Sequence, residues 1–234
     1  EKPDVDEFTV KVIADPDAAI LALRNGEVDL LAGTSRLSFA GYTELSSADG
    51  IGTVLDDSIS NSRFIGFNTQ EAPFNDAAVR QAVAYAIDKE TISDSVFSGL
   101  ETASEQLLDT SLPYCDVEAT TYSYNADKAK ELLKEAGYED TDGDGIVEKD
   151  GEPLNLRLVF QTEEYASWKS LCEFLKSEYE KIGVGIELVE EESAAYYDAI
   201  WSTRDYDLCI YRSYEDSWMP HGFLKSMFYA PDGA

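Results

Sequence analysis

At 234 residues the chain can form one large domain or two small ones with a sizeable core, and 44% hydrophobic with 28% charged residues is a globular rather than a disordered composition. A net charge of −29 excludes two classes of partner. Nothing here could neutralise a row of nucleic-acid phosphates, and an anionic membrane surface would repel the chain; repulsion between copies favours a soluble monomer.

The predicted elements alternate. Residues 8–13 read as a strand, and Asp15-Pro16 then opens a helix through Arg24, with Asp as cap and Pro in the first turn. Asn25-Gly26 ends it. A short strand over 28–31, a helix over 39–46 and strands over 52–55 and 63–68 follow. Asn75-Asp76 caps an apolar helix over 79–87, and a second helix occupies 89–97. Residues 99–124 lack a period and read as a long ordered connection. Beyond it lie a helix over 125–137, a strand over 154–160, an amphipathic helix over 165–182, a strand over 184–189, a helix over 193–202, a strand over 206–211 and a helix over 220–227. Such alternation predicts an α/β fold with at least partly parallel pairing. The domain boundary is placed where Asp56-Asp57-Ser58-Ile59-Ser60-Asn61-Ser62 interrupts the apolar pattern.

Cys115, Cys172 and Cys209 are odd in number and widely spaced, with no C-x-x-C pair, which argues against zinc and thioredoxin-like chemistry. Cys172 and Cys209 sit in apolar patterns and read as core residues. No apolar run reaches membrane-span length. Both ends read as cut from a longer chain, so the missing signal peptide says nothing of compartment.

Catalysis needs an acid, base or nucleophile held near a partner. The chain has one histidine, His221, and no G-x-S-x-G elbow. None of its 47 acids stands in an apolar setting that would raise its pKa. Glycine-rich phosphate loops are also absent. The expectation is a binding protein without catalysis or an organic cofactor.

The sharpest local motif runs from Asp140 to Glu148. Oxygen-bearing side chains recur at Asp140, Asp142 and Asp144, a glycine follows at Gly145, and the Ile146 carbonyl comes next, as in the first half of a calcium loop. The twelfth position, where a bidentate Glu is expected, is Gly151; Glu148 or Asp150 would have to substitute. Two readings fit: a structural calcium held by Asp140, Asp142, Asp144, Ile146 and Glu148, or a metal-free turn rich in Asx hydrogen bonds. A second constellation, residues 211–221, follows a buried strand and gathers Arg212, Tyr214, Trp218 and His221 where open α/β sheets hold ligands. The plainer alternative packs Trp218 under the last helix and places His221 in that helix's first turn.

Two stretches carry a resemblance. Phe67-Asn68-Thr69-Gln70-Glu71-Ala72-Pro73-Phe74-Asn75-Asp76, continuing through Val79-Arg80-Gln81-Ala82 to Asp88-Lys89, resembles the signature of family 5 solute-binding proteins, the oligopeptide, dipeptide and nickel receptors of ABC importers. The run from Tyr124-Asn125-Ala126-Asp127 to Glu135-Ala136-Gly137-Tyr138 is similar to a second hallmark. Leu112-Pro113-Tyr114, Gly151-Glu152-Pro153-Leu154, Glu190-Glu191-Glu192-Ser193 and Pro220-His221-Gly222-Phe223-Leu224 resemble the nickel branch. The resemblance implies a type II periplasmic-binding-protein-like clamp of two lobes. Residues 1–60 would be the tail of the first lobe and 61–234 the second, incomplete at its C-terminal end. It implies an extracytoplasmic receptor, in the periplasm or as a surface lipoprotein, that passes a nickel chelate or small peptide to an ABC permease. A sensory or chaperone-like module of the same fold is the alternative. Tyr214 and Trp218 match the branch's cleft aromatics; the branch's metal-associated His matches a position near Asp232, which is not His, and this weighs against direct nickel ligation.

Overall fold

The computed structural model describes residues 5–31, 37–55, 61–214 and 220–228. The chain divides into two compact units, Glu1–Asp56 and Asp57–Ala234.

In the first unit, α1 (Pro16–Arg24) starts where the Asp15 carboxylate accepts from the Ala18 amide at 2.7 Å. α2 (Phe39–Ser46) is capped by Ser38, whose hydroxyl accepts from the Gly41 amide at 3.0 Å. A Cβ on Gly41 would lie 2.6 Å from Ile20 Cδ1, so glycine at this point lets the buried Ile20 pack close to α2. The strands expected over 8–13, 28–31 and 52–55 are not formed. Their apolar residues face solvent: Phe8 is 78% exposed, Val12 90% and Val54 94%. A strand exists by exchanging hydrogen bonds with a neighbour, and among the described residues these segments have none.

The second unit begins with β1 (Arg63–Phe67), followed by α3 (Ala77–Tyr85) and α4 (Lys89–Val96). Residues 99–124 form neither helix nor strand, as their lack of period predicts. α5 (Ala126–Glu135) is capped by Asn125 and buries Ala129, Leu132 and Leu133. A short hairpin of β2 (Glu148–Lys149) and β3 (Glu152–Pro153) leads into β4 (Asn155–Phe160). The core is closed by α6 (Trp168–Glu180), β5 (Gly185–Glu190), α7 (Ser193–Asp198) with a π-helical turn over Ala199–Thr203, β6 (Leu208–Arg212) and α8 (Pro220–Phe228).

The four long strands order as β1-β6-β4-β5; β4 runs parallel to β5 and β6, while β1 is antiparallel to β6. β6 is central, so Leu208, Cys209 and Ile210 are all buried, the unbroken apolar run that a strand covered on both faces requires. α6 packs on β4 and β5 through Trp168, Leu171, Cys172, Leu175 and Tyr179, spaced three and four apart. The Tyr196 hydroxyl, fully buried, donates to the Ile210 carbonyl and ties α7 to β6. α6 starts at Trp168 rather than near residue 165, and the predicted 193–202 helix changes to π geometry after Asp198.

Candidate ligand site at the carboxyl ends of the strands

Because β4, β5 and β6 are parallel and in register, Phe160, Glu190 and Arg212 finish at one edge of the sheet. Ligands of open α/β folds collect beyond such an edge because chain direction and connecting loops leave a crevice there. Arg212, half-buried, leaves β6 and donates from Nε to the Tyr165 hydroxyl and from Nη1 to the Ser213 carbonyl at 3.2 Å. Its guanidinium carbon lies 5.4 Å from the centroid of the Tyr165 ring. Tyr165 in turn stacks on Trp168, with centroids 4.4 Å apart and planes 14° from parallel. Trp168 is 1% exposed and Gln161 0%. The Trp168 indole N–H and Gln161 Nε2 have no hydrogen-bond partner among the described residues, while Gln161 Oε1 accepts from the Glu164 amide at 2.9 Å. Glu164 also accepts from the Ser193 and Tyr197 hydroxyls at 2.8 and 3.1 Å. Burial, reinforced by the Glu164 charge, pushes the Tyr197 phenol up to about 12.

Of the residues expected at the site from sequence, Arg212 and Tyr214 stand at this strand end. Ser213 between them is buried and fixed to Ser62: its amide donates to the Ser62 carbonyl at 2.8 Å, and its hydroxyl accepts from the Ser62 amide at 2.7 Å. The half-buried Tyr214 ring meets Phe223 edge-on at 5.3 Å, beside a cluster containing Leu108, Leu112 and Cys115, and its hydroxyl bonds Ser226. His221 is exposed on the first turn of α8. Trp218 lies outside the described residues. Tyr165, Trp168 and Gln161 are not among the residues expected there. The signal that points to them is the one that found Arg212: Gln161 and Tyr165 follow a buried parallel strand within five residues of its end, and Trp168 opens the next helix.

In the acidic loop, carboxylate oxygens of Asp140, Asp142, Asp144 and Glu148 all lie within 4.8 Å of one another. The loop also satisfies these carboxylates with its own amides. Asp140 accepts from Gly143 and Gly145 at 2.7 and 3.1 Å, Asp142 from Asp144 at 3.0 Å, and Asp144 from Ile146 at 2.8 Å. Glu148, buried, accepts from the Thr141 amide and hydroxyl at 2.8 and 2.9 Å. The missing Glu at position 151 has a structural cause. Asp150 and Gly151 are the two loop residues of the β2–β3 hairpin, at φ +56° and +83°, a turn for which glycine is the favoured residue. An all-oxygen set of this kind fits calcium better than a soft transition metal.

A mixed sheet of this order, with helices packed on it and polar groups gathered at the carboxyl edge of its parallel strands, defines a lobe of a type II periplasmic binding protein. Residues 1–234 match the family of bacterial extracellular solute-binding proteins, family 5 Middle, and the chain belongs to that family. It is 32% identical over 228 residues to the nickel-binding periplasmic protein of Escherichia coli K12, covering 97% of this chain and 43% of that protein. It is 33% identical over 160 residues to the oligopeptide-binding protein AppA of Bacillus subtilis, covering 67% of this chain and 28% of AppA. The crystal structure of NikA from Brucella suis in complex with Fe(III)-EDTA superimposes with a TM-score of 0.90 at 30% identity, over 98% of this chain and 46% of NikA. The chain thus spans less than half the length of these relatives.

Proposed function

We propose that this chain is part of the substrate-binding component of an ABC importer, a receptor outside the cytoplasm that captures a nickel chelate or small peptide and delivers it to a membrane permease. The family match along the whole chain is the observation that carries the reading, and the relatives named for nickel and oligopeptides supply the two ligand classes. Binding without chemistry is the role: the ligand favours the closed clamp over the open one, and that difference in affinity is the signal to the permease. The strand-end groups suit this task. Arg212 offers positive charge to a carboxylate, and the Tyr214 ring offers an apolar face to the carbon skeleton of a chelate or peptide. Native mass spectrometry of the full-length receptor should show a co-purified chelate or peptide. Calorimetry with nickel chelates and tripeptides should then give a Kd of about 1 μM or tighter, near −8 kcal/mol. A receptor that carries and binds none of these overturns the reading.

The acidic loop is read as a structural calcium clip, supported by the convergence of Asp140, Asp142, Asp144 and Glu148, with the Ile146 carbonyl as a further ligand. It lies apart from the ligand site in role, joining α5 to β4 rather than lining the strand ends.

A further inference from the structure

We propose that Tyr165, clamped by Trp168, is a positioning residue that presents Arg212 as a preorganised fork to a carboxylate of the bound ligand. The inference rests on the receptor reading above and deepens it, assigning the ligand class at this edge as anionic.

A flexible arginine side chain loses rotamer entropy when it grips a ligand. Here much of that ordering precedes binding. Nε is fixed by the Tyr165 hydroxyl and Nη1 by the Ser213 carbonyl, and the Tyr165 ring lies beside the guanidinium at 5.4 Å. Each anchor is itself held. Ser213 is buried and bonded in both directions to Ser62. Tyr165 lies flat on Trp168, which is buried at the start of α6.

The anchors are an uncharged hydroxyl and an uncharged carbonyl, so they orient the guanidinium without neutralising it. Arg24, Arg63 and Arg157 each pair with a carboxylate, of Glu44, Glu101 and Asp205, whereas Arg80, like Arg212, donates to a backbone carbonyl, that of Phe74. Among the described residues Arg212 pairs with none, and Nη2 has no partner there. An oriented fork with no carboxylate partner among the described residues is the geometry that a carboxylate meets with two parallel hydrogen bonds.

The test uses the full-length receptor and two matched pairs of probes: Fe(III)-EDTA, an anion, against a neutral nickel–histidine chelate, and a tripeptide against its C-terminal amide. Tyr165→Phe keeps the ring and its stack on Trp168 but removes the oxygen that holds Nε. It should weaken the anionic member of whichever pair binds by about 3–10-fold, the worth of one hydrogen bond, and the neutral member by less than about twofold. In an Arg212→Gln background, Tyr165→Phe should have no further effect on the anionic probe, since nothing remains to position. A purely structural tyrosine would instead weaken both members of a pair equally and would do so in either background; that result, or no effect at all, overturns the proposal. A wild-type receptor that binds none of the four probes overturns the receptor reading, and this inference with it. Binding that is undisturbed by Tyr165→Phe overturns the positioning role alone.

Discussion

Gly183, just past α6, tests how tightly the acidic loop is seated. Its φ is +81°, and a Cβ placed there would lie 2.8 Å from Val147 Cγ1 and 3.5 Å from both the Val147 nitrogen and the Gly145 carbonyl oxygen. The Gly183 carbonyl meanwhile accepts from the Val147 amide at 2.8 Å, so the two segments cannot separate without breaking that bond. Gly183→Ala therefore combines two costs: about 1 kcal/mol for a side chain at positive φ, and about 1–3 kcal/mol for overpacking against Val147. The expected loss is about 2–4 kcal/mol. Gly151 is the control, because its φ is +83° but a Cβ added there would meet nothing within 4 Å. Gly151→Ala should cost only the backbone share, about 1 kcal/mol. Urea unfolding followed by far-ultraviolet circular dichroism gives both values from the midpoint shift at constant slope. Val147→Ala removes the clashing methyl, so in that background Gly183→Ala should fall back towards the Gly151 value, a non-additive cycle. Equal losses for the two glycines, or full additivity with Val147→Ala, would refute the packing argument.

Tyr196→Phe deletes the buried hydroxyl that donates to the Ile210 carbonyl. It should destabilise by about 1–3 kcal/mol, because that carbonyl is left unpaired, and differential scanning calorimetry should show the melting temperature fall. Cys115, Cys172 and Cys209 are all buried, so Ellman's reagent at pH 8 should titrate no thiol in the native protein and all three in urea. Burial pushes the Cys209 thiol up to about 12 and raises that of Cys172 as well. The folded state keeps both protonated, so their contribution to stability is full below the unfolded thiol value near pH 8.5 and is lost as pH rises towards 12; denaturation midpoints measured from pH 7 to 11 should fall accordingly. For the acidic loop, a Kd of about 1 mM gives roughly 1.4 kcal/mol at 10 mM calcium, or about 3–6 °C in melting temperature. Asp140→Asn with Asp144→Asn should abolish the shift, and an unshifted wild type would leave the loop as a turn held by its own amides.

The strong helices of this chain are legible because their signals are local. Asp15-Pro16, Ser38, Asp76, Asp88 and Asn125 cap the helices that follow them, and period alone places the buried face of α6. The strands β4 and β6 are visible as apolar runs, and Arg212 and Tyr214 come with β6 as the residues at and just beyond its end. Strands are expected over 8–13, from alternation, and over 28–31 and 52–55, but do not form, because an apolar pattern shows only that a segment could pair, and pairing needs a neighbour that sequence does not supply. The same limit hides the β2–β3 hairpin, whose two-residue strands are too short to show a period. It also hides the contact between Tyr165 and Arg212, 47 residues apart in sequence. Local chemistry wrote the caps, the acidic loop and the apolar runs into the sequence. Which ring lies beside which guanidinium was decided only when parallel pairing brought the ends of β4 and β6 to the same edge.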